Sequence, residues 1–206
     1  MFDLLFGGRA RARDRAQSQA VVQTLYGAVV QQTRRPEPYV AWGVPDTLDG
    51  RYDMLVLHAF VLFRALGRLS QEESKATGVP EGRTEAGGLS QAVFDHMLRD
   101  LDTNLREAGV SDMRIGARMK KLTKAFYGRV SSYEAGLKAE EDDATLRDAL
   151  DRNVYQKVAA PPEGLAALAR HVRALAAAAD TWTWADLSHG VARYPDPEPT
   201  AEPATP

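Results

Sequence analysis

Apolar residues recur at steps of three and four along most of the chain, and nowhere do β-branched residues alternate with polar ones. That pattern predicts an all-α fold, a single globular bundle of about six helices without internal repeats. Between about Ala10 and Thr33, Val22, Leu25 and Val29 keep helical spacing until Pro36 and Pro38 end the element. Residues 34–46 (RRPEPYVAWGVPD) read as an extended connector, because proline biases its predecessor away from helix and Gly43 interrupts any regular run. Asp46 or Thr47 then caps a helix reaching about Leu69. Its middle is apolar nearly all round, which predicts the central, buried helix. At about 100° per residue, Arg51, Leu55, His58 and Leu62 share one side of it, while Asp49, Asp53 and Arg64 share the other.

Residues 71–88 carry glycines, a proline and no aromatic, and read as a mobile surface loop. From Leu89 to Ala108 the apolar residues Phe94, Met97, Leu98, Leu101 and Leu105 mark an amphipathic helix that Gly109 stops. Ser111 can cap the next helix, which runs to about Lys138 with Ile115, Met119, Leu122, Phe126, Val130, Tyr133 and Leu137 on one stripe. Residues 144–157 are expected to be helical. Pro161 and Pro162 then open an Ala-rich helix from about Glu163 to Ala179, and a short turn follows around Trp184 to Ser188. From Tyr194 onward, proline alternates with acid and cannot form a core. The expected organisation is a basic N-terminal segment and first helix (1–35), a helical core that forms one domain with it (36–193), and a disordered tail (194–206).

Composition narrows what such a bundle does. The chain has 206 residues, 26 Lys plus Arg against 28 Asp plus Glu, and no Cys, which excludes disulfides, thiolate metal sites and cysteine nucleophiles. A formal net charge of −2 argues against a generally basic nucleic-acid coat, so no DNA partner is expected. Walker, GxGxxG, GxSxG and HExxH motifs are missing, and His58, His96, His171 and His189 never pair at metal spacing. No catalytic, cofactor or metal residue is therefore expected. The longest strongly apolar stretch, Met54 to Phe63, is well short of the ~20 residues of a spanning helix. The start, MFDLLFGGRARARDR, has its apolar residues before its arginines, the reverse of a secretory signal. It reads as a first turn packed on its own domain or as an interfacial anchor, with Phe2, Leu4, Leu5 and Phe6 in lipid and Arg9, Arg11, Arg13 and Arg15 at anionic headgroups; its arginines also imitate a transit peptide, against which Asp3 and Asp14 count. The expected location is cytoplasmic, with peripheral contact on the cytoplasmic face of the inner membrane as the further possibility.

Three groups of residues stand out. Arg51 and His58 fall on an apolar helix side, which implies either a structural polar clamp or a ligand site. The helix from Asp112 carries Arg114, Arg118, Lys120, Lys121, Lys124, Arg129 and Lys138 against only Asp112 and Glu134, a local charge of about +5 in an acidic protein. That face is either simply solvated or a surface for RNA, anionic lipid or an acidic partner. Tyr39 and Trp42 in the connector either anchor a partner or tuck the connector against its own domain.

Three runs then carry a resemblance: YVAWGVPDTLDGRYDMLVLHAF (Tyr39 to Phe60), LSQAVFDHMLRDLDTNLREAGVSDMRIGARMKKLTKAFYGRVSSY (Leu89 to Tyr133) and RNVY (Arg152 to Tyr155). In order and in motif they resemble the ubiquinol-cytochrome c chaperone family, with Ser111 where the family more usually has Gly and Trp42 where Leu is common. The resemblance implies a non-enzymatic assembly factor for the ubiquinol-cytochrome c oxidoreductase (complex III), acting on newly made cytochrome b. The partners it implies are a small helical co-chaperone, the ribosome and the membrane surface. On this reading Arg114, Arg118, Lys121, Lys124 and Arg129 supply an electrostatic contact surface, and Tyr39, Trp42, Arg51 and His58 belong to a neighbouring client or partner face. The rival readings are an RNA or ribosome adaptor unrelated to respiration and a small helical enzyme using Arg51 and His58.

Overall fold

The computed structural model describes residues 3–139, 143–156 and 158–197, with side chains from residue 16 onward. Helix α1 (Asp3–Thr33) leads through the single turn α2 (Glu37–Val40) into α3 (Leu48–Thr77). Thr47 caps α3 by accepting the Gly50 N–H, and Gly78, at φ 74°, ends it. After a 3-10 turn at Glu81–Arg83 come α4 (Glu85–Glu107) and α5 (Asp112–Lys138). Next are α6 (Ala144–Leu150), continued as a π-helical turn over Asp151–Tyr155, then α7 (Pro162–Asp180) and the short α8 (Trp184–Ser188). The described residues contain no strand, so the all-α expectation holds.

Helix α3 is the axis of the bundle, packed against by α1, α4, α5 and α7. Every residue from Asp53 to Leu62 is buried, as a helix covered on all sides requires. Around it lie Leu25 and Val29 of α1, Val93 and Met97 of α4, Phe126 and Tyr133 of α5, and Leu168, Val172 and Leu175 of α7. Two close approaches depend on glycine. A Cβ at Gly136 would lie 2.7 Å from Leu146 Cα, and one at Gly164 would lie 2.2 Å from the Trp42 carbonyl oxygen. The first sets α6 against α5; the second seats the connector on the start of α7.

The structure corrects two boundaries. Residues 71–88 are not a loop: α3 continues through residues 71–77, and α4 already begins at Glu85. The ion pair between Arg68 and Glu72 (2.9 Å) supports the extra turns of α3. Ser70 Oγ donates to the Glu81 carbonyl (2.7 Å), and Thr84 Oγ1 accepts the Gly87 N–H (2.9 Å). Helix caps on both sides thus reduce the glycine-rich stretch to one short, pinned turn. The tail also begins later than expected, because Tyr194 packs edge-on to Trp182 (5.0 Å) and donates to the His58 carbonyl (3.2 Å). Asp196 is paired with Arg35, and Pro197 is buried. Residues 198–206 of the expected tail, and the side chains of the expected N-terminal lipid anchor, lie outside the described residues.

Candidate partner-binding face

The nine residues singled out in the sequence separate into an inner and an outer set. Trp42 belongs inside: its ring lies 5.3 Å from that of His171, and its carbonyl accepts the Tyr155 hydroxyl (2.9 Å). It pins the connector to the core, so its place on a contact face is corrected.

His58 is buried as well. Its Nδ1–H donates to the Met54 carbonyl (2.8 Å), and its ring faces His171 (6.0 Å) and Tyr194 (6.2 Å). Burial first, and the neighbouring His171 second, push its pKa down to about 3; burial also lowers His171 to about 4. Both imidazoles are therefore neutral near pH 7. They act as satisfied or packed core groups rather than partner contacts, which corrects the assignment of His58.

Arg51 does not share that environment. It sits in the first turn of α3 with its side chain exposed, and its guanidinium donates to both Asp46 carboxylate oxygens (2.5 and 3.2 Å). The same cation lies 5.8 Å from the centre of the Tyr39 ring. Tyr39 is half-buried and donates from its hydroxyl to the Thr33 carbonyl (2.7 Å). Val40 and Leu48 stand exposed beside this edge.

Arg129 also turns inward. It pairs at 2.6 Å with Asp53, which is fully buried and also accepts from the Gln156 side-chain amide. Burial raises the Asp53 carboxyl to about 6, against the opposing pull of Arg129 and Gln156. This pair locks α3 to α5 and to the residue after the π-helical turn, and Arg129 is accordingly not part of a free cationic surface. Sequence reasoning missed Asp53 as a structural centre. A lone acid opening an otherwise apolar run was the available signal, since a buried carboxylate needs a partner.

The outer set is the exposed length of α5. Arg114, Arg118, Lys120, Lys121 and Lys124 are all exposed there. Arg118 lies 3.3 Å from Asp49 of α3, which joins this face to the edge carrying Arg51. Arg114, Lys120, Lys121 and Lys124 have no ion pair among the described residues, in contrast to Arg35, Arg51, Arg64, Arg68, Arg106, Arg129, Arg173 and Arg193. Arg114, Arg118 and Lys121 line an open depression of about 700 Å³ at the α4–α5 junction that no carboxylate lines. Met113, 95% exposed, and Tyr127, 59% exposed, bracket the lysines along the helix. Among the described residues no three His, Asp or Glu side chains converge as a metal site, and no helix is long and apolar enough to cross a membrane.

Fold and face together define a helical bundle locked by internal polar pairs, with unpaired cations along one outer helix. The sequence pattern of the family described as ubiquinol-cytochrome C chaperone matches residues 40–194, and the chain belongs to that family. It is 26% identical over 164 residues to ubiquinol-cytochrome-c reductase complex assembly factor 1 of Xenopus laevis, covering 79% of this chain and 74% of the frog protein. Against the mouse (Mus musculus) protein of the same name, identity is 26% over 149 residues, covering 72% of this chain and 45% of the relative. The crystal structure of the Cbp3 homolog from Brucella abortus superposes with a TM-score of 0.74 at 30% identity, covering 95% of this chain and 97% of that one.

Proposed function

We propose that this protein is a non-enzymatic chaperone for assembly of the ubiquinol-cytochrome c oxidoreductase, and that it holds newly made cytochrome b on the cytoplasmic side of the membrane in which that complex is built. Residues 36–193 with the first helix work as one unit, and the outward face of α5 is the contact surface. The observation that carries this reading is the run of unpaired cations Arg114, Lys120, Lys121 and Lys124 on one exposed helix of a chain whose net charge is −2. Paired arginines stabilise a fold; four unpaired cations on one helix add self-repulsion unless something anionic covers them. A small helical co-chaperone, the ribosome and anionic lipid all offer such a surface, and the edge formed by Tyr39, Arg51 and Arg118 extends it toward the connector.

The test is charge reversal. The variant Lys121→Glu/Lys124→Glu should keep its helical signal and its unfolding midpoint, because exposed substitutions away from partners shift stability by about 0.5 kcal/mol or less. In cells it should lower the amount of assembled complex. Normal complex levels would remove α5 as the contact surface. Steeply salt-dependent RNA binding together with unaltered respiration would replace the chaperone reading by an RNA adaptor.

A further inference from the structure

Beside the lysine face, α3, α4 and α5 leave an open cleft of about 330 Å³. Its walls are Phe63, Phe94, Phe126 and Tyr127, whose rings pack with centroids between 5.3 and 5.9 Å apart. Gly67 lines the same cleft from the middle of α3, where a Cβ would meet no atom within 4 Å. Glycine weakens a helix interior, and here no packed neighbour requires it. What its missing side chain leaves open is the cleft itself. A dry cavity of about 150 Å³ holds a benzene ring, so this volume fits about two ring-sized groups.

The surroundings select the kind of occupant. At about 100° per residue, Lys120, Lys124 and Tyr127 lie within about 60° of one another around α5, so an aromatic wall of the cleft and two unpaired ammonium groups share one stripe. The opposite rim is polar, with the Gln91 side-chain amide donating to Asp95 (2.8 Å) and Glu81 lining the same side, so that carboxylates of an occupant are directed away from it and toward α5. A segment lying along α5 therefore meets an apolar pocket flanked on one side by cations.

We propose that the cleft receives one or two bulky apolar side chains of an amphipathic segment in a newly made polypeptide, with carboxylates of that segment seated on Lys120 and Lys124. Taking a newly made chain as occupant rests on the chaperone reading above. The recognition is that of an amphipathic helix in a groove: aromatic walls fix the anchor and charge fixes the direction.

The variant Gly67→Leu places its Cβ in open space, directs an isobutyl group into the cleft and replaces a helix-weakening residue, so it should fold at least as well as the parent. Gly88→Leu is its control: it adds the same side chain where a Cβ again meets nothing within 4 Å, in the separate depression between α1 and α4. Overlapping 15-residue peptides tiling the subunits of the complex are arrayed and probed with the purified full-length protein, and the strongest binder is measured in solution by fluorescence anisotropy. The binder should combine Phe, Leu or Trp with Asp or Glu. Gly67→Leu should weaken it by about tenfold or more, Lys120→Glu/Lys124→Glu should do the same, and Gly88→Leu should leave it unchanged. An array without binders, or equal binding by Gly67→Leu, overturns the proposal. So does binding to phosphatidylcholine–phosphatidylglycerol vesicles that Gly67→Leu abolishes while no peptide is bound, since the occupant would then be lipid. The two readings fail separately. If the parent gene restores complex assembly to a deletion strain and Gly67→Leu restores it equally, only the cleft is wrong; if the deletion leaves assembly normal, the chaperone reading itself is wrong.

Discussion

Lowering the pH from 7.5 to 5.0 should cost this protein about 3 kcal/mol of folding stability, and the loss originates in the buried pair His58 and His171. Both are held neutral in the native state by burial, at about 3 and about 4 against an ordinary 6.5. Between pH 6.5 and roughly 4 the unfolded chain takes up protons that the folded chain refuses, so stability falls as the solution is acidified through that window. At pH 5.0 each histidine lies about 1.5 pH units below its unfolded value, which at about 1.4 kcal/mol per unit is about 2 kcal/mol each, or about 4 together. Asp53 works in the opposite direction. Its carboxyl is raised to about 6, so the folded state binds a proton before the unfolded state does, and the protein regains about 1.4 kcal/mol between pH 6 and pH 5. The assay is urea unfolding followed by far-ultraviolet circular dichroism at 25 °C across this pH range. His171→Phe, whose removal strands no partner because His171 Nε2 has none among the described residues, should remove about 2 kcal/mol of the acid loss and leave less than about 1 kcal/mol. A stability that is level or rising from pH 7.5 to pH 5.0, or an acid loss undiminished in His171→Phe, would refute the assignment of these histidines as buried neutral groups.

Other outcomes follow from the same contacts. Arg129→Met leaves the Asp53 carboxylate buried without its cation and should cost about 3–5 kcal/mol, whereas Asp53→Leu/Arg129→Met should recover most of that, both read from urea midpoints. Gly136→Ala forces a Cβ into the backbone of Leu146 and should lower stability by about 1–3 kcal/mol, seen as a drop in Tm. Trp42→Ala empties a fully buried site beneath the connector and should cost about 3–5 kcal/mol, a penalty an exposed partner anchor would not show.

How far the sequence could be read depended on whether a residue's partners were local. The central position of α3 was legible because a helix covered on all sides must be apolar on all sides, and Met54 to Leu62 has only His58 as an exception. The long helices were legible for the same reason: each pays for its ordering with one apolar stripe. Periodicity failed where it had to know what lies opposite. Arg51 and His58 share a helix side, yet Arg51 emerges into solvent at the helix start while His58 sits beneath α7 and Tyr194. Asp53 falls with Asp49 and Arg64 on the seemingly polar side, and only the approach of α5 brings Arg129 to it. Residues 71–88 look like a loop by glycine content alone, because the bonds from Ser70 and Thr84 that pin them span a turn whose geometry composition does not carry. The proline-rich neighbours of Tyr194 mark it as tail, although its ring packs against His58 and Trp182. The basic face of α5 was legible as charge, but the separation of Arg129 from Lys121 and Lys124 required the packing.

The central claim is that the bundle exists to help build the oxidoreductase that passes electrons from quinol to cytochrome c. Reduced-minus-oxidised haem spectra of membranes from a strain lacking the gene test it most directly. The account predicts loss of the b-type and c-type signals of that complex, restored by the parent gene and not by Lys121→Glu/Lys124→Glu; full signals in the deletion strain would contradict it.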